Sequence, residues 1–303
     1  MLQRVVFFLK KKAAEKEIEK LLAELTANKI EVFTTNVCKD ANTSSIYDDI
    51  NAIVVNDDND TTNVCKTLYI TDNADCQKFL QEKKLPTIVY LHEDNRDEDF
   101  SQAAYAIEQI AEIEAESLEL AYQRLTGQPW TILTTNRCKV RESTINDVDA
   151  FYEIYREPSI TDYMEDLFED RAEEIAYMED YIQKVYGFYG YGMWTILEKE
   201  SGQVIGRAGI SWREGYDIPE LGFVIAVPYQ GKGYAYEVCQ AILAYGQKEL
   251  GFTCYQVLIM DGNVKSEALC RKLGFQDDST VFLESRQYKR MLLQVKGRKR
   301  ESL

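Results

Sequence analysis

Glu220-Leu-Gly-Phe-Val-Ile225-Ala-Val-Pro-Tyr-Gln230-Gly-Lys-Gly-Tyr-Ala235-Tyr-Glu-Val-Cys-Gln240 is the stretch on which the reading of this chain turns. Leu221, Phe223, Ile225 and Val227 recur at period two, the spacing of a strand. Beyond the turn, Ala235, Val238, Cys239, Ile242, Tyr245 and Leu250 fall on one face of a helix. A strand, a turn holding Gly231 and Gly233, and a helix follow one another directly. The start of a helix presents unpaired N–H groups and about half a positive charge, and glycines let an anion approach them closely. A phosphate-bearing ligand is the expectation.

Spacing discriminates among phosphate-binding schemes. A dinucleotide fingerprint needs glycine at position 236, where Tyr236 stands. A Walker loop needs Gly-Lys followed by Ser or Thr, but Lys232 precedes Gly233. Neither scheme applies.

Working outward, Trp194 to Glu198 and Val204 to Ile210 read as strands joined at Ser201-Gly202, and Cys254 to Met260 as another. Val264 to Leu273 reads as a helix stopped by Gly274. Helices are expected near Asp147 to Arg156 and Arg171 to Val185, after one strand from Trp130 to Glu142. The fold class of this half is mixed α/β.

Upstream, residues 3 to 9 read as a strand and 13 to 28 as a helix. Short apolar runs follow at Ile30 to Phe33, Ala52 to Val55, Leu68 to Ile70 and Thr87 to Leu91, with a helix over Ala74 to Glu82. This alternation predicts a small parallel α/β layer. A long helix from Ala103 to Leu125 would close it, and Gly127-Gln128-Pro129 marks a stop. The chain of 303 residues thus reads as two domains, 1–126 and 127–303.

The strand–turn–helix resembles the pyrophosphate loop of the GNAT N-acetyltransferase superfamily, whose Gln/Arg-x-x-Gly-x-Gly/Ala pattern is met by Gln230, Gly233 and Ala235. Glu220 to Tyr229 resembles the strand that precedes that loop, and Asn263-Val-Lys-Ser-Glu-Ala-Leu-Cys270-Arg-Lys-Leu-Gly-Phe275 the family's last shared segment. The resemblance spans about residues 131–293 and is closest to the branch of ribosomal-protein N-terminal acetyltransferases. It implies acetyl-CoA as acyl donor. Backbone groups of Ile225, Ala226 and Val227 would meet the pantetheine arm, the amides of Gln230, Gly231, Lys232, Gly233, Tyr234 and Ala235 would hold the pyrophosphate, and Asn263 would lie beside the cofactor.

Transfer to an amine needs a neutral nucleophile, a stabilised oxyanion and a proton for the departing thiolate. By the resemblance, Glu220 is the candidate base, acting directly or through water; a carboxylate there can also simply bind an ammonium. Many relatives place tyrosine where Cys270 stands. That departure leaves the usual acid unassigned: Cys270 is a candidate because a thiol can in principle donate a proton, but buried packing is its favoured reading; water, Tyr229 or Tyr236 are other candidates.

Charge and composition bound the partners. With 51 acidic and 35 basic residues the formal charge is -16, which argues against nucleic acid and anionic membrane and favours an amine-bearing small molecule or peptide. Ten acidic residues against Arg171 between Glu157 and Asp180 suggest a cationic acceptor such as a polyamine, an aminoglycoside-like amine or a basic peptide N-terminus; a solvated helix face is the alternative. Tyr186 to Trp194, dense in glycine and aromatic residues, reads as a binding wall or a core turn.

Seven scattered cysteines with no C-x-x-C pair suggest reduced thiols, no metal site and the cytoplasm. The N-terminal apolar run is too short for a signal or a span. His92, the single histidine, reads as a loop residue, and the acidic run Asn56 to Asp60 as a surface loop. Tyr69 to Asp72 with Leu85 to Leu91 faintly resembles a haloacid-dehalogenase core, but no Asp-x-Asp follows the first strand. The first domain is expected to regulate, recruit substrate or form a homodimer. The rival readings are a non-catalytic acyl-CoA sensor and a bifunctional protein with a hydrolase-like first domain.

Overall fold

The computed structural model describes residues 1–10, 14–36, 66–164 and 166–295. The expected strand at Ala52 to Val55, the acidic loop at Asn56 to Asp60 and Glu165 of the acidic run lie outside them. The chain forms two compact units, Met1–Trp130 and Thr131–Leu303. Trp130 belongs to the first because its indole N–H donates to Leu120 O at 2.9 Å and its ring lies 4.1 Å from the Arg124 guanidinium carbon.

In the first unit, strands β1 (Arg4–Leu9), β2 (Glu31–Asn36), β3 (Thr67–Thr71), β4 (Thr87–Tyr90) and β5 (Ala106–Ile107) form a parallel sheet in the order β2-β1-β3-β4-β5. Helices α1 (Ala14–Ala27), α2 (Ala74–Glu82) and α3 (Ala115–Leu125) accompany it. β1 is apolar from Val5 to Leu9 because both its faces are covered there. Val5, Phe7 and Leu9 pack with Ile18, Leu21 and Leu25 of α1 and with Leu118 of α3, while Val6 and Phe8 pack with Cys76 and Leu80 of α2. Each such fully buried side chain contributes roughly 1.5–3 kcal/mol.

The long helix expected from Ala103 begins only at Ala115. Upstream, Ala106 and Ile107 pair with Val89 and Tyr90 as the edge strand β5; ladder hydrogen bonds available only in the tertiary fold override the helical spacing. His92 sits in the β4 loop with both ring nitrogens engaged: Nε2 lies 3.2 Å from the buried Asp72 carboxylate, and Nδ1 accepts from the Asp94 amide at 3.2 Å. It braces a loop.

The second unit carries an eight-stranded sheet of order β12-β13-β11-β10-β9-β8-β7-β6. Its strands are β6 (Thr131–Thr134), β7 (Cys138–Arg141), β8 (Met193–Glu198), β9 (Val204–Ser211), β10 (Glu220–Ile225), β11 (Cys254–Met260), β12 (Gln276–Leu283) and β13 (Arg286–Gln294). Helices α4 (Val148–Tyr155), α5 (Arg171–Tyr181), α6 (Tyr234–Lys248) and α7 (Val264–Leu273) accompany them. All neighbours are antiparallel except β10 and β11. Leu221, Ile225, Tyr255, Val257 and Ile259 join Val238, Cys239 and Ile242 of α6 in the main core, while Val224, from the other face of β10, packs with Ile154, Tyr155 and Ile160.

Two elements depart from the sequence expectation. The single strand foreseen from Trp130 to Glu142 is the hairpin β6–β7, turned where Thr135 N–H donates to Cys138 O at 2.8 Å. Hairpin β12–β13 carries no turn signature in the sequence. Its two turn residues, Glu284 (φ 47°) and Ser285 (φ 68°), adopt left-handed backbone without the Asn-Gly signature of such turns, and Arg and Lys interrupt the apolar alternation of β13.

Beneath α4, Arg141 Nη1 and Nη2 clasp Asp147 at 2.7 Å each, while the Thr144 amide and Thr195 hydroxyl donate to the same carboxylate at 2.8 and 3.1 Å. Burial pushes the Asp147 carboxyl up, but these donors outweigh it and hold it below the ordinary carboxylate range. Stability from this group is therefore present above the unfolded value near ~3.9 and lost as pH falls through the lower folded value. Asp147→Asn, which leaves the guanidinium without its anion, should destabilise the unit by roughly 3 kcal/mol at neutral pH, and urea titration should show the gap to wild type shrinking below about pH 4.

Candidate active site

The site grows from an asymmetry in β10. The strand pairs with β9 at all six residues from Glu220 to Ile225, but with β11 only at Glu220↔Gln256. Ala226 N–H donates to Ile205 O at 2.8 Å and Gln256 N–H to Pro219 O at 2.9 Å. By the alternation of an antiparallel ladder, even-numbered backbone groups of β10 face β9 and odd-numbered ones face β11. Phe223 and Ile225 thus turn backbone groups into the wedge where β10 and β11 part.

At the wide end of that wedge the chain enters the glycine turn. Gln230 Nε2 donates to Ile225 O at 2.9 Å, closing the strand end, and its Oε1 lies 3.3 Å from Lys265 Nζ at the start of α7. Ala226 and Val227 carbonyls accept from the Tyr229 and Gln230 amides at 2.8 and 3.1 Å, so this pair is engaged in the turn itself. Gly231 (φ 72°) and Gly233 (φ 84°) occupy left-handed backbone that residues with a Cβ enter only with strain, and a Cβ at Gly231 would meet open space. Gly233 starts α6 with no side-chain cap, leaving the amides of Tyr234 and Ala235 in the uncapped first turn beside Lys232. An uncapped helix start with open space above it is chemically suited to a pyrophosphate.

Arg137 braces this loop. Its Nε donates to Glu237 Oε2 at 2.7 Å and its Nη1 to Lys232 O at 2.9 Å, and its guanidinium carbon lies 4.2 Å from the centre of the Tyr234 ring. The brace spans 95 to 100 positions of chain, and nothing local in the sequence signals it.

At the narrow end, Glu220 is nearly buried and bonded by Arg213, whose Nε and Nη2 reach its two oxygens at 2.7 and 3.2 Å. A carboxylate so held is a preformed cation site. Asn263 caps α7, accepting from the Ser266 amide at 3.2 Å. Tyr229 donates to Gln203 Oε1 at 3.1 Å, and Tyr236 lies under the Lys272 ammonium at 4.3 Å.

Cys270 is a correction. It is 0% exposed on the inward side of α7, within the main core, and burial pushes its thiol up to about 12. A thiol so placed packs and does not reach the wedge. In the intact fold Cys270 should resist iodoacetamide at pH 8 and react after denaturation, read by peptide mass mapping; labelling of native protein at Cys270 would restore it to the site.

Part of the acidic run is engaged locally. Asp170 caps α5 at 2.8 Å, Glu174 is buried and accepts from the Phe168 amide at 3.2 Å, and Asp180 pairs with Lys184. The aromatic stretch divides: Tyr186 and Trp194 are core, whereas Phe188 and Tyr189 are exposed.

A mixed sheet with one parallel pair that opens onto a glycine turn and an uncapped helix start is a fold suited to a phosphate-bearing ligand. A family model described as acetyltransferase (GNAT) domain matches residues 137–276. The uncharacterized N-acetyltransferase YnaD of Bacillus subtilis (strain 168) is 31% identical over 145 residues, covering 48% of this chain and 82% of that protein. The uncharacterized protein YkkB of the same strain is 28% identical over 154 residues, covering 50% and 88%. A solved acetyltransferase structure from Agrobacterium tumefaciens strain C58 matches at 22% identity and TM-score 0.45, covering 53% of this chain and 92% of that one. The chain belongs to the GNAT acetyltransferase family. Residues 1–136 lie outside the family match. No helix among the described residues is long and apolar enough to cross a membrane.

Proposed function

We propose that the C-terminal unit transfers an acetyl group from acetyl-CoA to an amine. The observation that carries this reading is the half-paired strand β10, which leads from a carboxylate at its closed end to an uncapped glycine-turn helix start at its open end. The donor's pyrophosphate would be held by the amides of Gly231 to Ala235 and by the charge of Lys232 and Lys265. Its extended arm would add to the odd-numbered edge of β10, hydrogen-bonding as a third strand would. Bound there, acetyl-CoA supplies an activated thioester carbonyl.

The remaining work falls to the chain. The acceptor's ammonium replaces the Arg213 guanidinium on Glu220 and gives up its proton to that carboxylate, directly or through one water. The freed lone pair attacks the carbonyl carbon. A backbone N–H at Phe223 or Ile225, already aimed into the wedge, meets the negative charge that develops on the carbonyl oxygen. As the C–S bond breaks, the nitrogen, cationic after its attack, sheds its second proton to solvent and leaves as the amide; the thiolate takes a proton from solvent, since Cys270 is out of reach, and Glu220 returns its own proton to solvent. Most of the acceleration on this account comes from holding two reactants in line.

Release of free coenzyme A should be measured across a panel of amines for wild type and Glu220→Gln. The expected result is turnover that falls on the order of 10²–10⁴-fold in the variant while acetyl-CoA affinity, read by calorimetry, stays constant. Wild-type binding of acetyl-CoA with no turnover of any amine would favour the acyl-CoA sensor instead, and no binding at all would remove the cofactor assignment of the glycine turn.

A further inference from the structure

Beside Glu220 lies a buried donor that the transfer reaction leaves unassigned. Ser211, Glu220 and Gln256 are register partners across β9, β10 and β11, so their side chains share one face of the sheet. It is the face opposite Tyr255 and Val257, which point into the core under α6. Strands this close set the backbones of Glu220 and Gln256 about 4.8 Å apart.

Gln256 is 0% exposed, yet only half of its amide is satisfied. Oε1 accepts from Arg290 Nε at 2.9 Å. A guanidinium can only donate, so this bond settles which end of the amide is oxygen and leaves Nε2 as the opposite, donating end. Arg290 is itself held, with Nη1 3.5 Å from Asp278 and its guanidinium carbon 5.3 Å from the centre of the Tyr216 ring. Gln256 Nε2 is buried and has no hydrogen-bond partner among the described residues. Buried polar groups are nearly always paired, and those that are not stand out as places where a ligand completes the set.

We infer that Gln256 determines acceptor specificity: Glu220 takes the amine while Gln256 Nε2 donates to an oxygen on the neighbouring carbon of the same acceptor. This assignment rests on the acyl-transfer reading of the site. It defines the substrate class as an amine with a vicinal oxygen, either the carbonyl of an aminoacyl terminus or the hydroxyl of an amino sugar. A simple polyamine is disfavoured on the same ground, because its remaining nitrogens are protonated donors and leave Nε2 unpaired. Sites built to bond a substrate's polar group discriminate strongly against analogues that lack it.

The test is steady-state kinetics of the full chain with alaninamide, 2-amino-2-deoxyglucose, propylamine and 1,4-diaminobutane, for wild type, Gln256→Leu and Gln256→Met. Wild type should favour alaninamide or the amino sugar over the two oxygen-free amines by roughly 10- to 100-fold in kcat/KM, and the better of the two identifies the source. Both variants should lose this preference chiefly through a raised KM for the oxygenated acceptor, with acetyl-CoA affinity by calorimetry confirming that they fold. A preference that persists in the variants overturns the assignment. So does an equal fall in kcat for all four amines, which would place Nε2 at the acyl oxygen. If wild type binds acetyl-CoA but turns over none of the amines, the transfer reading fails first and takes the Gln256 assignment with it.

Discussion

Everything in the C-terminal unit depends on β10 being a strand with one complete neighbour and one that leaves. Backbone N–H and C=O groups inside a sheet demand partners, and along β9 they have them at every residue. Toward β11 the ladder stops after Glu220↔Gln256. The protein satisfies one of the exposed carbonyls internally, by swinging Gln230 Nε2 back onto Ile225 O, and leaves the edge between without a neighbouring strand. A fully paired β11 would abolish the site without altering a single side chain in it.

The same opening explains why the glycine turn needs support from outside. A helix start whose amides are aimed at an anion carries repulsive partial charges and no cap. Arg137 reaches it from the β6–β7 turn, taking Glu237 with its head and Lys232 O with an edge, while Lys265 approaches Gln230 from the far side. Arg137 is substantially exposed, so these bonds add little to global stability. What they contribute is geometry: the loop keeps its left-handed glycines in place before any ligand arrives. Gln230 ties the end of β10 to the loop, since one side chain both bonds the last strand carbonyl and meets Lys265.

Two buried polar groups of this unit illustrate opposite outcomes. Asp147 is surrounded by donors from Arg141, Thr144 and Thr195 and serves to fasten α4 to the sheet. Gln256 has one partner, and its unpaired Nε2 belongs to the residue in register with the carboxylate proposed to handle the acceptor. Satisfied networks stabilise a fold, and an unsatisfied member next to a reaction site is a candidate for recognition.

Much of the architecture was legible along the chain because it is local. Helical spacing and a stop glycine delimit Val264–Leu273, period two delimits Cys254–Met260, and glycine spacing at 231 and 233 picks one phosphate-binding scheme from three. Glu220 was legible as a carboxylate at a strand start. The helical spacing from Ala103 misleads because Ala106 and Ile107 spend their hydrogen bonds on β4 instead, and between acid and packing at Cys270 only the tertiary structure selects packing, because motif position says nothing of which way a helix turns its face. Arg137, Arg213 and Gln256 left no local trace. By itself the sequence determined the strand, the turn and the helix, which follow from steric and periodic preferences of neighbouring residues. Only the tertiary structure decided that β11 leaves β10 after one bridge and that Glu220 and Gln256 share a face, because register between strands is set by long-range packing.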